Sequence, residues 1–184
     1  MIFEAILGVE GPRFAPMGVE PGHDGAASFF EAGVAVIRPF FSSRTGEEFL
    51  RLGHGVLNFP DDVMLFAKTA LTDELPPSRG PVIDGTPYWW KISAASAGRD
   101  EASGRWEIVC RVEQKNFERP FRPFNRAKNA ALEAVILATR LHLEENPAEA
   151  MRRIGELETA AERTGGGNEH DIFRFIRSSV ERGS

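Results

Sequence analysis

Apolar residues follow one rhythm before residue 123 and another after it. In the first stretch they come in short runs or alternate with polar residues, the period of strands. Residues 2–9 read as a strand and Gly11-Pro12 as a turn. Residues 13–20 read as a second, less regular strand, in which Pro16 and Gly18 suggest an edge, a bulge or the close approach of a ligand. A glycine-rich loop over 21–33, anchored by Phe29 and Phe30, leads to the apolar run Val34-Ala35-Val36-Ile37, read as a buried strand. A corner follows at 38–45, then a short helix over 46–52, a strand over 53–59 and a helix over 61–71. Asp61 and Asp62 open that last helix, where its dipole accounts for two carboxylates without a catalytic role. Residues 72–87 hold four prolines and two glycines and read as a long surface loop. Residues 88–94 are aromatic and strand-like, 98–104 form a polar hairpin tip, and 105–114 alternate clearly. That alternation puts Trp106, Ile108, Cys110 and Val112 on one buried face.

Beyond residue 123 the period becomes helical. A helix over 124–143 carries a stripe of small residues at Ala127, Ala130, Ala131, Ala134 and Ala138, suited to close backbone packing. A second helix, 147–164, turns Met151, Ile154, Leu157 and Ala161 inward and is stopped by Gly165-Gly166-Gly167. Asn168 caps a third, to about residue 181, burying Ile172, Phe175, Ile176 and Val180. The pattern predicts an α+β, β-rich chain: a body over 1–123 and a three-helix appendage over 124–184.

Composition narrows the function classes. With 184 residues, 42% hydrophobic and 27% charged, the chain suits one sizeable globular domain, or a domain with an appendage. A net charge of −5, with no basic run interleaved with aromatics, argues against a nucleic-acid partner. No apolar run approaches the roughly 20 residues that span a bilayer, so no membrane partner is expected. The single cysteine, Cys110, has no partner for an internal disulfide and reads as a small buried hydrophobe. No secretory leader is legible, so the expected compartment is a reducing cytoplasm. The four histidines are scattered without metal-ligand spacing, so no metal site is expected.

Two stretches seek anions. In the corner, Arg38 and Arg44 supply guanidinium groups, and Ser42, Ser43 and Thr45 supply hydroxyls, just where a strand gives way to a helix. The first turn of a helix presents unpaired N–H groups and the positive end of the dipole, a ready anion site. The plainer reading is an ordinary N-cap at Ser43 or Thr45 with solvated arginines. The second stretch is Asn125-Arg126-Ala127-Lys128-Asn129, where cations sit at a helix start against the dipole. A bound anion would explain them; so would a solvated helix end with Glu133 as partner. Met17-Gly18 could let a flat ligand lie against the backbone, or could be a bulge.

Taken together, Ala15-Pro16-Met17-Gly18, Ile37-Arg38-Pro39-Phe40 through Ser43-Arg44-Thr45, Leu57-Asn58-Phe59 with Asp61-Asp62, and Phe124-Asn125-Arg126-Ala127-Lys128-Asn129 resemble one family. It is the group of FMN-binding split-barrel proteins whose genes accompany those for tetrahydromethanopterin. The resemblance covers nearly the whole chain, the Thr164-Gly165-Gly166 turn included. It implies a flavin-binding split β-barrel with a C-terminal three-helix appendage, a homodimer, and FMN at or near the subunit interface. Arg38, Ser42, Ser43, Arg44 and Thr45 would hold phosphate and ribityl; Asn58 and the backbone at Met17-Gly18 would face the isoalloxazine; Asn125, Arg126 and Asn129 would complete the site. The chain departs from the family pattern where Ser42 replaces a glycine and Gly46 an aromatic.

The resemblance further implies an FMN-dependent oxidoreductase acting on a pterin or another small molecule, with Lys91 or Lys68 as candidate donors near the flavin. The flavin would carry the chemistry, which fits the lack of any visible catalytic triad. Two alternatives stay open: a non-catalytic flavin or pterin carrier, and an assembly protein of a C1-transfer pathway.

Overall fold

The computed structural model describes residues 3–22, 30–72, 74–120, 126–164 and 167–183. Two units make up the chain: residues 1–60 with 75–120, and residues 61–74 with 121–184.

In the first unit, β1 (Phe3–Val9), β2 (Arg13–Pro21), β3 (Val34–Ile37), β4 (His54–Phe59), β7 (Tyr88–Asp100) and β8 (Arg105–Phe117) close into an antiparallel barrel of order β1-β2-β3-β8-β7-β4. Closure removes the free edges that aggregate open sheets. Alternate residues fill the interior: Ala5, Leu7 and Val9 from β1, Met17 and Val19 from β2, Ala35 and Ile37 from β3, and Leu57 and Phe59 from β4. Tyr88, Trp90 and Ile92 join from β7, and Ile108 and Cys110 from β8. Trp106 and Val112 pack on the same core, so the face read from the alternation of β8 is the inward one. One helix, α1 (Arg44–Leu52), follows the corner and seats Phe49 in this core.

The β1–β2 register runs without a shift from Phe3↔Val19 to Val9↔Arg13, so Pro16 and Gly18 mark no bulge. The two irregularities fall instead in the β7–β8 ladder, at Lys91/Ile92 and Ala94/Ser96. Both strands of that hairpin are longer than the pattern suggests, reaching Asp100 and starting again at Arg105.

Residues 72–87 are not wholly a surface loop. They contain a small hairpin, β5 (Ser78–Arg79) with β6 (Val82–Ile83), and bury Ile83 and Thr86. Asn58 pins it to the barrel: the amide Nδ2 donates to Ile6 O (3.2 Å) and Pro81 O (3.0 Å), while Oδ1 accepts from Ile83 N (2.9 Å). Gly8 makes the contact possible, because a Cβ there would lie 2.3 Å from Pro81 O.

The second unit holds α2 (Val63–Leu71), α3 (Arg126–Arg140), a 3₁₀ turn (Leu141–Leu143), α4 (Pro147–Thr164) and α5 (Gly167–Gly183). Here the structure departs from a body ending at residue 123. The helix α2 packs against α3 and α5, burying Phe66 and Ala67, and so joins the appendage. Asp62 is its N-cap, accepting from Met64 N at 2.8 Å, so this carboxylate has a structural role; the helix starts at Val63 and neither acid lies in its first turn. Lys128 donates to Asp61 O, a use for that cation that needs no anion. In α3, Ala127, Ala130, Ala131 and Ala134 are buried as the small-residue stripe predicts. In α4, Ala150 rather than Met151 is inward; Met151 is exposed. In α5, Phe173 is buried with Ile172 and Ile176, two positions before the predicted Phe175, which is half-buried. Amphipathic helices bury a broad arc, and the choice between neighbouring residues at its margin is made by the partner helix.

Among the described residues no helix is long and apolar enough to cross a membrane, and no cluster of three or more metal-ligating side chains occurs.

Candidate functional site

The β2–β3 ladder ends just before the corner that leads from β3 to α1. The β2–β3 ladder covers only Val19↔Ile37, Glu20↔Val36 and Pro21↔Ala35. Beyond Ile37 the chain leaves β2 and follows β8: Trp106 N donates to Pro39 O (2.9 Å), Phe40 bridges Arg105, and Phe41 N donates to Gly104 O (3.0 Å). The next residue of β2 past the ladder is Gly18, and the next of the corner is Arg38. Register therefore places Gly18 of β2 and Arg38 of the anion-seeking corner one step beyond the last paired residues. Met17 points into the barrel, whereas Gly18 is exposed on the outer face.

Ser43 is the N-cap of α1, its Oγ accepting from Gly46 N at 3.1 Å. The plain capping reading and the anion reading are compatible here. Ser43 satisfies one first-turn amide, while those of Arg44 and Thr45 have no partner among the described residues. The Thr45 side chain is buried, and Ser42 and Arg44 are exposed. Ser42 causes no backbone strain, since no non-glycine residue among the described residues has a positive φ.

Gly46 lies directly under Pro39: a Cβ would sit 2.8 Å from Pro39 Cβ and 3.3 Å from Ser43 Cβ. An aromatic residue has no room at that position in this chain. Gly46→Ala is expected to lower stability by about 1–2 kcal/mol despite alanine's better helix propensity, because a proline ring cannot yield. Chemical denaturation measures it.

The two arginines have different fates. Arg38 is spent on two carboxylates, with Nη1 2.7 Å from Glu20 and Nε and Nη2 3.0 Å from Glu107. The bond to Glu20, partly offset by burial, raises its pKa above the usual guanidinium value. With two acids around one base, this cluster is net negative and braces β2, the corner and β8. Arg44 has no ion pair or hydrogen bond among the described residues, so the corner's available charge is there. Sequence reading missed two further cations that the long β7–β8 hairpin brings to the corner. Arg105 stacks 3.8 Å over Phe40 and donates to Arg38 O (3.1 Å), and Arg99 lies 4.5 Å over Phe41 while pairing with Glu101. The length of the strands flanking the hairpin tip was the available signal.

Asn58, expected beside a flavin ring, is fully buried with its amide committed to three backbone groups. It holds the fold. Of the helix-start residues, Asn125 lies outside the described residues, Arg126 begins α3, and Asn129 is exposed on it. Lys68 pairs with Glu74, and Lys91 is exposed on β7.

Cys110 is fully buried in the barrel, and burial pushes its thiol up to about 12. It is neither a nucleophile nor a redox group. A thiol-exchange reagent at mild alkaline pH is expected to leave the native protein unmodified and to titrate one thiol after denaturation.

The N-terminal domain model of "Protein of unknown function (DUF447)" matches residues 3–119, and the model "Protein of unknown function (DUF447)" for the C-terminal part matches residues 125–178. The chain belongs to the DUF447 family. Among solved structures, the FMN-bound DUF447 protein MM1853 from Methanosarcina mazei is 23% identical; the match covers 97% of this chain and 93% of that one, with a TM-score of 0.78. Flavoredoxin from Methanosarcina acetivorans is 13% identical over 66% of this chain and 72% of its own, with a TM-score of 0.51. An FMN-binding protein from Thermus thermophilus, solved with p-hydroxybenzaldehyde, is 11% identical over 63% and 71%, with a TM-score of 0.50. These likenesses show that this DUF447 chain has the fold of FMN-binding split-barrel proteins. No curated protein matches its sequence.

Proposed function

We propose that this DUF447 protein binds FMN, with the phosphate at the start of α1 and the ring system along the opening beside Met17-Gly18. The observation that carries this is the divergence of β2 from the corner after Val19↔Ile37, beside a helix start whose Arg44 and Thr45 amides have no partner among the described residues. Arg44, Ser42 and Thr45 supply charge and donors there, and Ser43 shapes the turn. The fold shared with the FMN-bound relative supports the reading.

Bound FMN would supply hydride-transfer chemistry, and the protein would supply binding and orientation. The described residues of the corner fit that division: serine and threonine hydroxyls and an arginine would anchor the phosphate. We accordingly read the protein as an FMN-dependent oxidoreductase acting on a small molecule in the cytoplasm, and as a homodimer. A pterin of the tetrahydromethanopterin type is the substrate class suggested by the family resemblance. A second reading, a flavin carrier without turnover, is supported by the engagement of the corner's carboxylates Glu20 and Glu107 by Arg38.

Absorbance of the purified protein, before and after adding FMN and removing the excess, tests binding. Bands near roughly 370 and 450 nm are the expected signature of the retained cofactor; a protein that stays colourless overturns the proposal. Oxidation of NAD(P)H by the flavin-loaded protein, with a pterin or another acceptor, separates enzyme from carrier.

A further inference from the structure

Arg105, the first residue of β8, grips the corner between β3 and α1 on both sides of Pro39. Its Nη1 donates to Arg38 O at 3.1 Å, and its guanidinium carbon lies 3.8 Å from the centroid of the Phe40 ring. The place of this grip follows from the chain. Proline has no N–H to give to a ladder, so pairing with β8 is weakened at residue 39, where Trp106 N still donates to Pro39 O at 2.9 Å. The ladder to β2 has already ended at Ile37. A side-chain donor from β8 therefore fastens the Arg38 carbonyl just where strand pairing runs out. A flat guanidinium can stack on a ring and donate in its own plane at once, which a lysine ammonium cannot. Arg99 is the contrast: it lies over Phe41 and pairs with Glu101, with no hydrogen bond to the corner backbone among the described residues.

What the gripped segment carries is the start of α1. Pro39 rests on Gly46 in the first turn, where an added Cβ would come within 2.8 Å of Pro39 Cβ. Phe40 O accepts from Ser43 N at 3.0 Å, and Ser43 caps the helix. A shift of residues 38–40 would carry the cap and the Arg44 and Thr45 amides with it.

We infer that Arg105 is a positioning residue of the phosphate site: it acts through the backbone of Arg38 and the ring of Phe40 to aim the first turn of α1. The inference rests on the FMN reading above and names a residue outside the corner that sets its geometry.

Fluorescence titration of the full-length protein with FMN and with riboflavin tests it. Riboflavin lacks the phosphate, so the ratio of the two affinities isolates the phosphate's share. Arg105→Ala is expected to weaken FMN binding by about tenfold, the loss that follows when a charge-assisted hydrogen bond goes, and to leave riboflavin binding unchanged. Arg105→Lys keeps the charge without the stacked fork and is expected to resemble the alanine variant. Phe40→Leu is expected to weaken FMN binding less in the Arg105→Ala background than in the wild type, because residues that act as a unit are not additive. An equal loss for both flavins would mark a merely structural role. Full recovery by lysine would mark a long-range charge effect. Either result, or strict additivity with Phe40→Leu, would overturn the inference. Wild-type protein that binds no FMN would overturn the FMN reading and this inference with it; wild type and Arg105→Ala binding FMN equally well would overturn the inference alone.

Discussion

Arg44→Glu weakens FMN binding by about 100-fold or more, while α1 becomes slightly more stable. The two effects have opposite signs for physical reasons. The substitution removes a charge-assisted contact to a phosphate and places a carboxylate against it, a loss of about 3 kcal/mol or more. At the first helical position, however, a carboxylate complements the dipole by about 0.3–1 kcal/mol. Flavin fluorescence quenching measures the first effect and thermal denaturation the second. Arg38→Ala is the internal control: its guanidinium already serves Glu20 and Glu107, so a smaller change in affinity is expected. If the Arg44 variant bound FMN normally, the phosphate would have to sit elsewhere and the proposed function would lose its anchor.

Asn58→Leu is the largest expected stability effect. It strips partners from Ile6 O, Pro81 O and the amide of Ile83, itself buried. Leaving such groups unpaired costs about 3 kcal/mol in sum, which lowers the melting temperature of a chain this size by roughly 10 °C. Asn58→Asp is expected to be at least as harmful, because a carboxylate would face two carbonyl oxygens. Circular dichroism melting measures both. A loss below about 1 kcal/mol would show that the β5–β6 hairpin is not held by this residue.

The same residue shows where a one-dimensional reading stops. Asn58 stands in a stretch that resembles a flavin-binding pattern, and nothing in its neighbours betrays that the amide points at Ile6, Pro81 and Ile83, residues 23 to 52 positions away. Arg38 is a parallel case. Its charge was visible, but its partners Glu20 and Glu107 come from β2 and β8 and meet it only through the barrel's register. The hairpin inside residues 72–87 was hidden because prolines and glycines signal turns without saying what the turns pack on. For α2, helical spacing was plain, but its burial against α3 and α5 depends on segments some sixty and some hundred residues downstream.

Properties set by neighbours in the chain were determined by the sequence itself. The inward face of β8, the cap at the start of α1, the Asp62 cap of α2 and the alanine stripe of α3 all follow from periods and caps acting over a few residues. The tertiary structure alone decided which charges remain available and which polar groups are buried. It consumed Arg38 and left Arg44 exposed, enclosed Asn58, and buried the Thr86 hydroxyl without a partner among the described residues. The reason is that desolvation and ion pairing depend on distances through space, and the strand register that fixes those distances is a property of the closed barrel.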